Sequence, residues 1–186
     1  MRTTRLIAVS VSAVFTLAAC GSDADSGSAP SHNAQDVSFA QGMIPHHQQA
    51  VEMAGLASGR ASSPEVKDLA GRIEKAQGPE ITTMTGWLKS WDEKVPEAMS
   101  GMDHSAHSGM AGMMNDADMG KLEKASGKEF DTMFLTMMVG HHEGAVKMAT
   151  TEKAKGDYKD ATAMAGDIVT AQNAEIAEMK KLLNAE

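Results

Sequence analysis

Apolar residues recur at helical spacing in four segments of the chain, whereas alternating strand patterns are almost absent. In the first segment the seam positions step by four, three, four and three residues, which places them on one face of a helix. This seam consists of Phe39, Met43, His46, Ala50 and Met53. An equivalent seam in the third segment consists of Phe134, Met138, His141, Ala145 and Met148.

The second and fourth segments have longer seams that also include polar residues. The second begins at Ser63-Pro64, an N-cap residue followed by a proline in the first turn. Its seam is Val66, Leu69, Ala70, Ile73, Gln77, Glu80, Met84 and Leu88. The fourth seam is Met164, Ile168, Gln172, Glu175, Met179 and Leu182. Two helical hairpins of this kind predict an all-α four-helix bundle.

The two hairpins are copies of one unit. Residues 36–54 return as residues 131–149 at an offset of 95, with nine of nineteen positions identical. Residues 70–88 return as 165–183 at the same offset, again with nine of nineteen identical. A repeat of this length indicates one structural unit used twice. The polar residues kept in both copies, where function is expected, are Asp36/Asp131, His46/His141, His47/His142, Gln77/Gln172 and Glu80/Glu175.

Several residues modify the helical prediction locally. Pro45 and Gly140 occupy matching positions just before the histidine pairs and predict a bend there. Pro79 lies inside the second helix and predicts a kink, because proline lacks a backbone donor. Asp36 and Asp131 are predicted to be N-caps or helix-start carboxylates.

The N-terminal residues have the pattern of a secreted lipoprotein. Residues 1–19 combine two arginines with a short apolar stretch and end in Leu-Ala-Ala before Cys20, which resembles a bacterial lipobox. The prediction is an extracytoplasmic protein anchored to the cell membrane by a lipid on Cys20; the alternative is an ordinary signal peptide with an incidental cysteine. Residues 20–35 are predicted to be a flexible tether. The predicted bundle, 36–186, divides into repeat 1 (36–95), a Met/His-rich linker (96–120) and repeat 2 (121–186).

The charge of the chain limits its partners. Seventeen Lys and Arg against 25 Asp and Glu give a formal net charge of −8. This excess argues against nucleic acid and against docking on anionic lipid, so contact with the membrane is predicted through the N-terminal lipid only. It is compatible with cations as ligands. The single cysteine excludes a disulfide within the chain.

In each repeat, a methionine lies one helical turn before the histidine pair, so a thioether and two imidazoles cluster together. Adjacent histidines point about 100° apart on a helix, so they cannot aim at a single point, but a methionine one turn earlier reaches both. Imidazole with thioether is a soft ligand set suited to copper, above all Cu(I), and to silver, with Cu(II) as a further option. Zinc would normally recruit thiolate or carboxylate. The predicted metal ligands are Met43, His46, His47, Met138, His141 and His142.

The remaining repeated polar residues are Gln77, Glu80, Gln172 and Glu175. Their glutamates are predicted to accept hydrogen bonds from the imidazole N–H groups and to fix the tautomer, rather than to ligate the metal directly. The alternative is that these side chains pair across the bundle and only set its register.

The linker between the hairpins is rich in methionine and histidine. Because it lacks apolar periodicity, its methionines are predicted to be exposed, where they have little structural purpose. Met and His at short intervals on a flexible chain can wrap a soft cation. The alternative is an ordinary low-complexity linker. The candidate ligands here are Met102, His104, His107, Met110, Met113 and Met114, flanked by Met99 and Met119.

The repeated Met-x-x-His-His-x-x-Ala-Val-x-Met-Ala blocks, each followed by Gln-x-x-Glu-Ile-x-x-Met, resemble the domain-of-unknown-function family number 305. The resemblance covers residues 36–186. It implies a ferritin-like bundle, often secreted or membrane-anchored, with some copper-associated members. It also implies that the two Met-x-x-His-His motifs are the marked positions, with the Gln and Glu residues behind them.

Three functions are compatible with these features. The first is an extracytoplasmic copper-binding protein, with no catalytic residues, that sequesters Cu ions or hands them to a transfer partner. The second is a ferritin-like di-metal oxidase, which would use Glu-x-x-His motifs that neither histidine pair has. The third is a non-catalytic interaction module of the cell envelope with pH-dependent histidines. A monomer and a homo-oligomer paired through an exposed seam are both compatible with the sequence.

Overall fold

The computed structural model describes residues 31–97 and 110–185. Five helices occupy these residues: α1 (Ala34–Arg60), α2 (Pro64–Ser90), α3 (Asp116–Lys124), α4 (Gly127–Lys155) and α5 (Lys159–Leu183). The predicted signal peptide, the lipidation site Cys20 and the linker ligands Met102, His104 and His107 lie outside the described residues.

The four long helices form two hairpins that pack together. Helix α1 packs mainly against α2, α4 packs mainly against α5, and α1 and α4 contact each other between the hairpins. The prediction of an all-α bundle is confirmed. Helices α1 and α2 run unbroken through Pro45 and Pro79, respectively. None of the helices in the described part of the chain is both long and apolar enough to cross a membrane.

The interior contains two separate apolar cores, one toward each end of the bundle. One includes Met43 and the N-terminal half of α1 with the C-terminal half of α4. The other includes Met138 and the C-terminal half of α1 with the N-terminal half of α4. Because α1 and α4 run antiparallel, the repeated sequence places equivalent residues at opposite ends. The middle of the bundle is left to polar residues.

Two buried aspartates tie the hairpins together in a reciprocal way. Asp36, in the first turn of α1, accepts hydrogen bonds from the backbone N–H groups of Asp157 and Tyr158, just before α5. Its repeat counterpart Asp131, in α4, accepts from the backbone N–H groups of Ser62 and Ser63, just before α2. Each carboxylate therefore satisfies donors at the start of a helix in the other hairpin.

Asp36 also faces a second buried carboxyl group that has no counterpart in repeat 1. Glu152 is fully buried in α4, and position 57 of repeat 1 is alanine. Burial, together with Asp36, raises the pKa of Glu152 to about 8. Burial also acts to raise the pKa of Asp36, but hydrogen bonds from Glu152 and three backbone N–H groups outweigh it and lower that pKa. Near neutral pH Glu152 therefore keeps its proton and uses it to donate a hydrogen bond to the Asp36 carboxylate.

The C-terminal end of the linker is folded, contrary to the prediction. Met119, in the short helix α3, is 2% exposed and belongs to a core, and Met110, Met113 and Met114 are half-buried. The expectation of exposed methionines is therefore wrong for residues 110–119. The prediction failed because a short segment can pack onto the surface of long helices without any periodic pattern of apolar residues in its own sequence.

Candidate metal centre

Four histidines lie between the two apolar cores and are called here the histidine layer: His46, His47, His141 and His142. Each is at most 1% exposed. They are buried because the seams of α1 and α4 continue through them, with apolar residues one turn away on both sides. The repeat brings the two pairs to the same level of the bundle, where the rings of His46 and His141 lie 3.8 Å apart between centroids.

Three of the four imidazoles have their tautomer fixed by an acceptor at Nε2. His47 donates to the Glu80 carboxylate at 2.6 Å, and His142 donates to the Glu175 carboxylate at 2.8 Å. His46 donates to the backbone carbonyl of residue 111 at 3.2 Å. In each neutral ring the lone pair is therefore on Nδ1.

Those lone pairs have no hydrogen-bond partner. Nδ1 of His46, His47 and His142 is buried without one, and both ring nitrogens of His141 are in the same state. A buried polar atom left unsatisfied costs roughly 1–3 kcal/mol. Five such atoms in one layer indicate a site whose stabilising partner is not supplied by the described residues. A neutral imidazole has one lone pair, so four of these nitrogens can ligate a metal ion and the fifth carries the proton of His141.

Burial also keeps two imidazoles of the layer, those of His46 and His141, uncharged. It lowers the pKa of His46 to about 3, and the neighbouring His47 contributes to this shift. Burial lowers the pKa of His141 well below its usual value, and the other three histidines of the layer add to this effect. Neutral imidazole is the form that binds metals, so His46 and His141 need lose no proton at physiological pH.

Methionines flank the histidine layer from both sides. Met43 lies one turn before His46 and His47 and belongs to one core, whereas Met138 lies one turn before His141 and His142 and belongs to the other. Both are fully buried. A thioether therefore borders the layer from each end of the bundle, as the two-fold repeat requires.

Two further polar side chains of the repeat are buried on the outer helices. Gln77 on α2 and Gln172 on α5 are 3% and 4% exposed, and the Oε1 atom of each lacks a hydrogen-bond partner. Each lies one turn before the glutamate that accepts from an imidazole. Glu80 and Glu175 remain partly open, with side chains 25% and 16% exposed. The layer is thus connected to solvent through its carboxylates.

Residues 110–114, called here the strap, cover one side of the histidine layer. The Gln49 side chain anchors the strap with two hydrogen bonds, accepting from Met114 N at 2.7 Å and donating to Met114 O at 2.8 Å. Gly112 adopts a positive φ of 85°. Gly144 allows the close approach, because a Cβ there would lie 1.9 Å from the carbonyl oxygen of Ala111.

We expect Gly144→Ala to displace the strap. The new Cβ meets backbone rather than a flexible side chain, so the Gln49 and His46 hydrogen bonds to the strap are lost at a cost of about 1–3 kcal/mol. Urea unfolding measures the stability, and hydrogen exchange at the Met114 amide reports the strap. The matched control is Gly55→Ala on α1, where a Cβ meets nothing within 4 Å. Helix propensity alone predicts that both substitutions stabilise, so equal gains would contradict a docked strap.

The predicted ligands are only partly brought together. The four histidines of the two Met-x-x-His-His motifs lie in one layer, Met43 and Met138 lie one helical turn away in the two cores, and Met110, Met113 and Met114 lie in the strap. Within residues 31–97 and 110–185, no three His, Cys, Asp or Glu side chains converge as a metal site. In this arrangement, a site in the layer with three or more protein ligands would draw on the neighbouring thioethers. The sequence pattern did not identify Gln49 or Gly144 as functional residues. Position 49 in repeat 1 corresponds to position 144 in repeat 2, and the difference between glutamine and glycine at this position is visible in the sequence.

The comparisons with known proteins agree with this architecture. The chain matches the family described as Domain of unknown function (DUF305) over residues 36–183. A DUF305 protein from Streptomyces coelicolor, described as secreted, is 34% identical with a TM-score of 0.73, covering 81% of this chain and 93% of its own. A DUF305 fragment from Deinococcus radiodurans is 29% identical with a TM-score of 0.74, covering 84% and 100%. No curated protein matches the chain.

A third similar structure is CopM in its Cu(II)-bound form, which is 35% identical with a TM-score of 0.70, over 81% of this chain and 96% of CopM. CopM is also known in Cu(I)-bound and Ag-bound forms. The repeated histidine motifs, the two-hairpin bundle and the match over residues 36–183 lead to one conclusion: the chain belongs to the DUF305 family.

Proposed function

We propose that this protein binds copper ions outside the cytoplasm, Cu(I) above all, and either sequesters them or hands them to another protein. The observation that carries the proposal is the group of five buried imidazole nitrogens without partners in the histidine layer. A bound cation would satisfy lone pairs that the fold leaves unpaired. CopM, a similar protein in Cu(I)-, Cu(II)- and Ag-bound forms, supports the choice of metal.

The ligand set favours a soft cation. The layer offers neutral imidazole from His46 and His141 and thioether from Met43 and Met138, whereas the carboxylates of the site are already engaged by imidazole N–H groups. Neutral nitrogen and sulfur donors suit Cu(I) and Ag(I) better than Mg²⁺, Ca²⁺ or Zn²⁺. Glu80 and Glu175 would then orient the ligating rings and raise their basicity.

The same geometry disfavours a di-metal oxidase. That chemistry needs carboxylates that bridge two metal ions in the bundle core. Glu80 lies against His47 and Glu175 against His142, on helices at opposite sides of the layer. A non-enzymatic role in copper tolerance or homeostasis accounts for the site better. We assign the lipid on Cys20 the role of holding the protein at the outer face of the membrane, with the Met/His-rich linker collecting ions near the bundle.

The test is a Cu(I) competition titration of the mature chain with Cys20 replaced by Ser. A linker variant replaces Met102, His104 and His107 by Ser and keeps the chain length. We expect it to bind fewer ions but to retain the tightest site. The matched control is His32→Ala, which removes a histidine stacked on Trp91 outside the layer. Loss of all tight binding in the linker variant would assign the metal to the linker and leave the buried histidines structural.

A further inference from the structure

Two thioethers converge on one point of the α1 surface, outside the histidine layer. A Cβ built on Gly42 would lie 3.7 Å from Sδ of Met148 on α4 and 4.0 Å from Sδ of Met110 in the strap. Both methionines are half-buried. The glycine leaves open the space that the two sulfur atoms face.

Among residues 31–97 and 110–185, this arrangement occurs on one side of the bundle. The repeat counterpart of Gly42 is Met137, and the counterpart of Met148 is Met53, which is fully buried in a core. Met148 packs against the edge of the other core and is only half-buried, unlike its counterpart. The strap docks on the side where position 42 is glycine, and it brings Met110 with it. Methionine at a partly open position contributes less to the core than it does at a buried one.

The thioether pair lies beside the histidine layer. Gly42 precedes His46 by four residues, so the two positions share a face of α1 one turn apart. Ala111, which follows Met110 directly, accepts the hydrogen bond from His46 Nε2. The same strap therefore contacts the layer and positions one of the two sulfur atoms.

We propose that Met110 and Met148 form a receiving site, which binds a soft monovalent cation first and passes it to the histidine layer. This inference rests on the proposed function of the layer. Two neutral thioethers bind Cu(I) or Ag(I) without losing a proton and hold it more weakly than a site that adds imidazoles. The ion then moves inward by exchange of one neutral ligand for another. The linker, which joins the strap at Met110, delivers ions to the same place.

The first test is an Ag(I) titration of the full mature chain carrying ¹³C-labelled methionine methyl groups. The Met110 and Met148 methyl resonances are expected to shift together and with the same apparent affinity. The Met137 resonance, from a half-buried methionine on α4 with no atom within 4 Å of the Cβ position at Gly42, is expected to stay in place. Independent shifts of Met110 and Met148, or an equal response of Met137, would overturn the site.

The second test measures the rate of Cu(I) uptake from a chelated Cu(I) donor by stopped flow. A Met110→Leu/Met148→Leu variant keeps the side-chain volume and removes both sulfur atoms. Uptake is expected to slow by about tenfold, in the range seen when groups supporting a metal site are removed. The affinity of the histidine layer, the tightest site, should change far less than the uptake rate, because the layer keeps its ligands. Met137→Leu is the matched control and should take up Cu(I) at the wild-type rate.

The two tests separate the receiving site from the layer itself. Coupled methionine shifts together with unchanged resonances of His46 and His141 would support the thioether pair and contradict copper binding by the layer. Tight binding by the layer with an uptake rate unaffected by the double substitution would contradict the receiving site alone.

Discussion

Replacing His141 by leucine is expected to stabilise the metal-free protein while removing its tightest Cu(I) binding. Both ring nitrogens of His141 are buried without a partner, so the apo protein carries their desolvation cost. A leucine of similar size removes this cost and should raise the free energy of unfolding by about 1–3 kcal/mol. The same change removes a ligand and should weaken Cu(I) binding by at least about 100-fold, the upper end of what losing a supporting residue costs.

Urea unfolding of the apo protein and Cu(I) competition measure the two effects separately. A residue kept for binding rather than for folding gives opposite signs in the two measurements. His32→Leu is the control, because His32 is half-buried beside Trp91 and remote from the layer. A destabilised His141→Leu protein with unchanged Cu(I) affinity would show that His141 serves the fold.

Glu152→Gln is expected to become progressively more stable than wild type as the pH rises from about pH 5 to pH 8. The pKa of Glu152 is raised from 4.5 to about 8, so in this window the folded state holds a proton that the unfolded state has lost. Through this group alone, stability is greatest at low pH and falls as pH rises, with a slope of up to about 1.4 kcal/mol per pH unit. Below about pH 6.5 the buried His46 and His141 act in the opposite direction, because folding lowers their pKa values. Glutamine donates a hydrogen bond to Asp36 at every pH, so the difference between the variant and wild type isolates the contribution of Glu152.

The measurement is urea unfolding of wild type and variant at intervals across that window. The variant should match wild type near pH 5 and exceed it near pH 8. Glu74→Gln, an exposed carboxyl on α2, is the control and should leave the slope unchanged. Parallel profiles for wild type and Glu152→Gln would mean that the pair with Asp36 does not hold the proton.

The helices and the histidine layer follow from local patterns that the sequence displays directly. Seam positions repeat at helical spacing, and most of the predicted positions are buried, including His46 and His141. The repeat also indicates which distant residues lie close together. Two copies of one hairpin are expected to pack about an approximate two-fold axis, which brings equivalent residues near each other. That is how side chains 95 residues apart come to lie at the same level of the bundle.

The strap and helix α3 could not be predicted in the same way. Docking of residues 110–114 depends on the Gln49 side chain and on Gly144, single contacts that produce no periodic pattern. The pairing of Asp36 with Glu152 likewise depends on where the α4–α5 turn folds back. Such contacts are visible in the sequence only as departures from the repeat, at positions 49/144 and 57/152.

We expect the buried histidines, not the linker histidines, to hold the copper ion. The most direct test follows the ring nitrogen resonances of all seven histidines by ¹⁵N NMR during Cu(I) titration of the mature chain. The first equivalent of Cu(I) is expected to perturb the Nδ1 signals of His46, His47 and His142 and both ring nitrogen signals of His141. His32, His104 and His107 should respond later or not at all. If the ring nitrogen resonances of His104 and His107 shift first and those of the four buried histidines stay unchanged, copper binding by the buried histidines is contradicted.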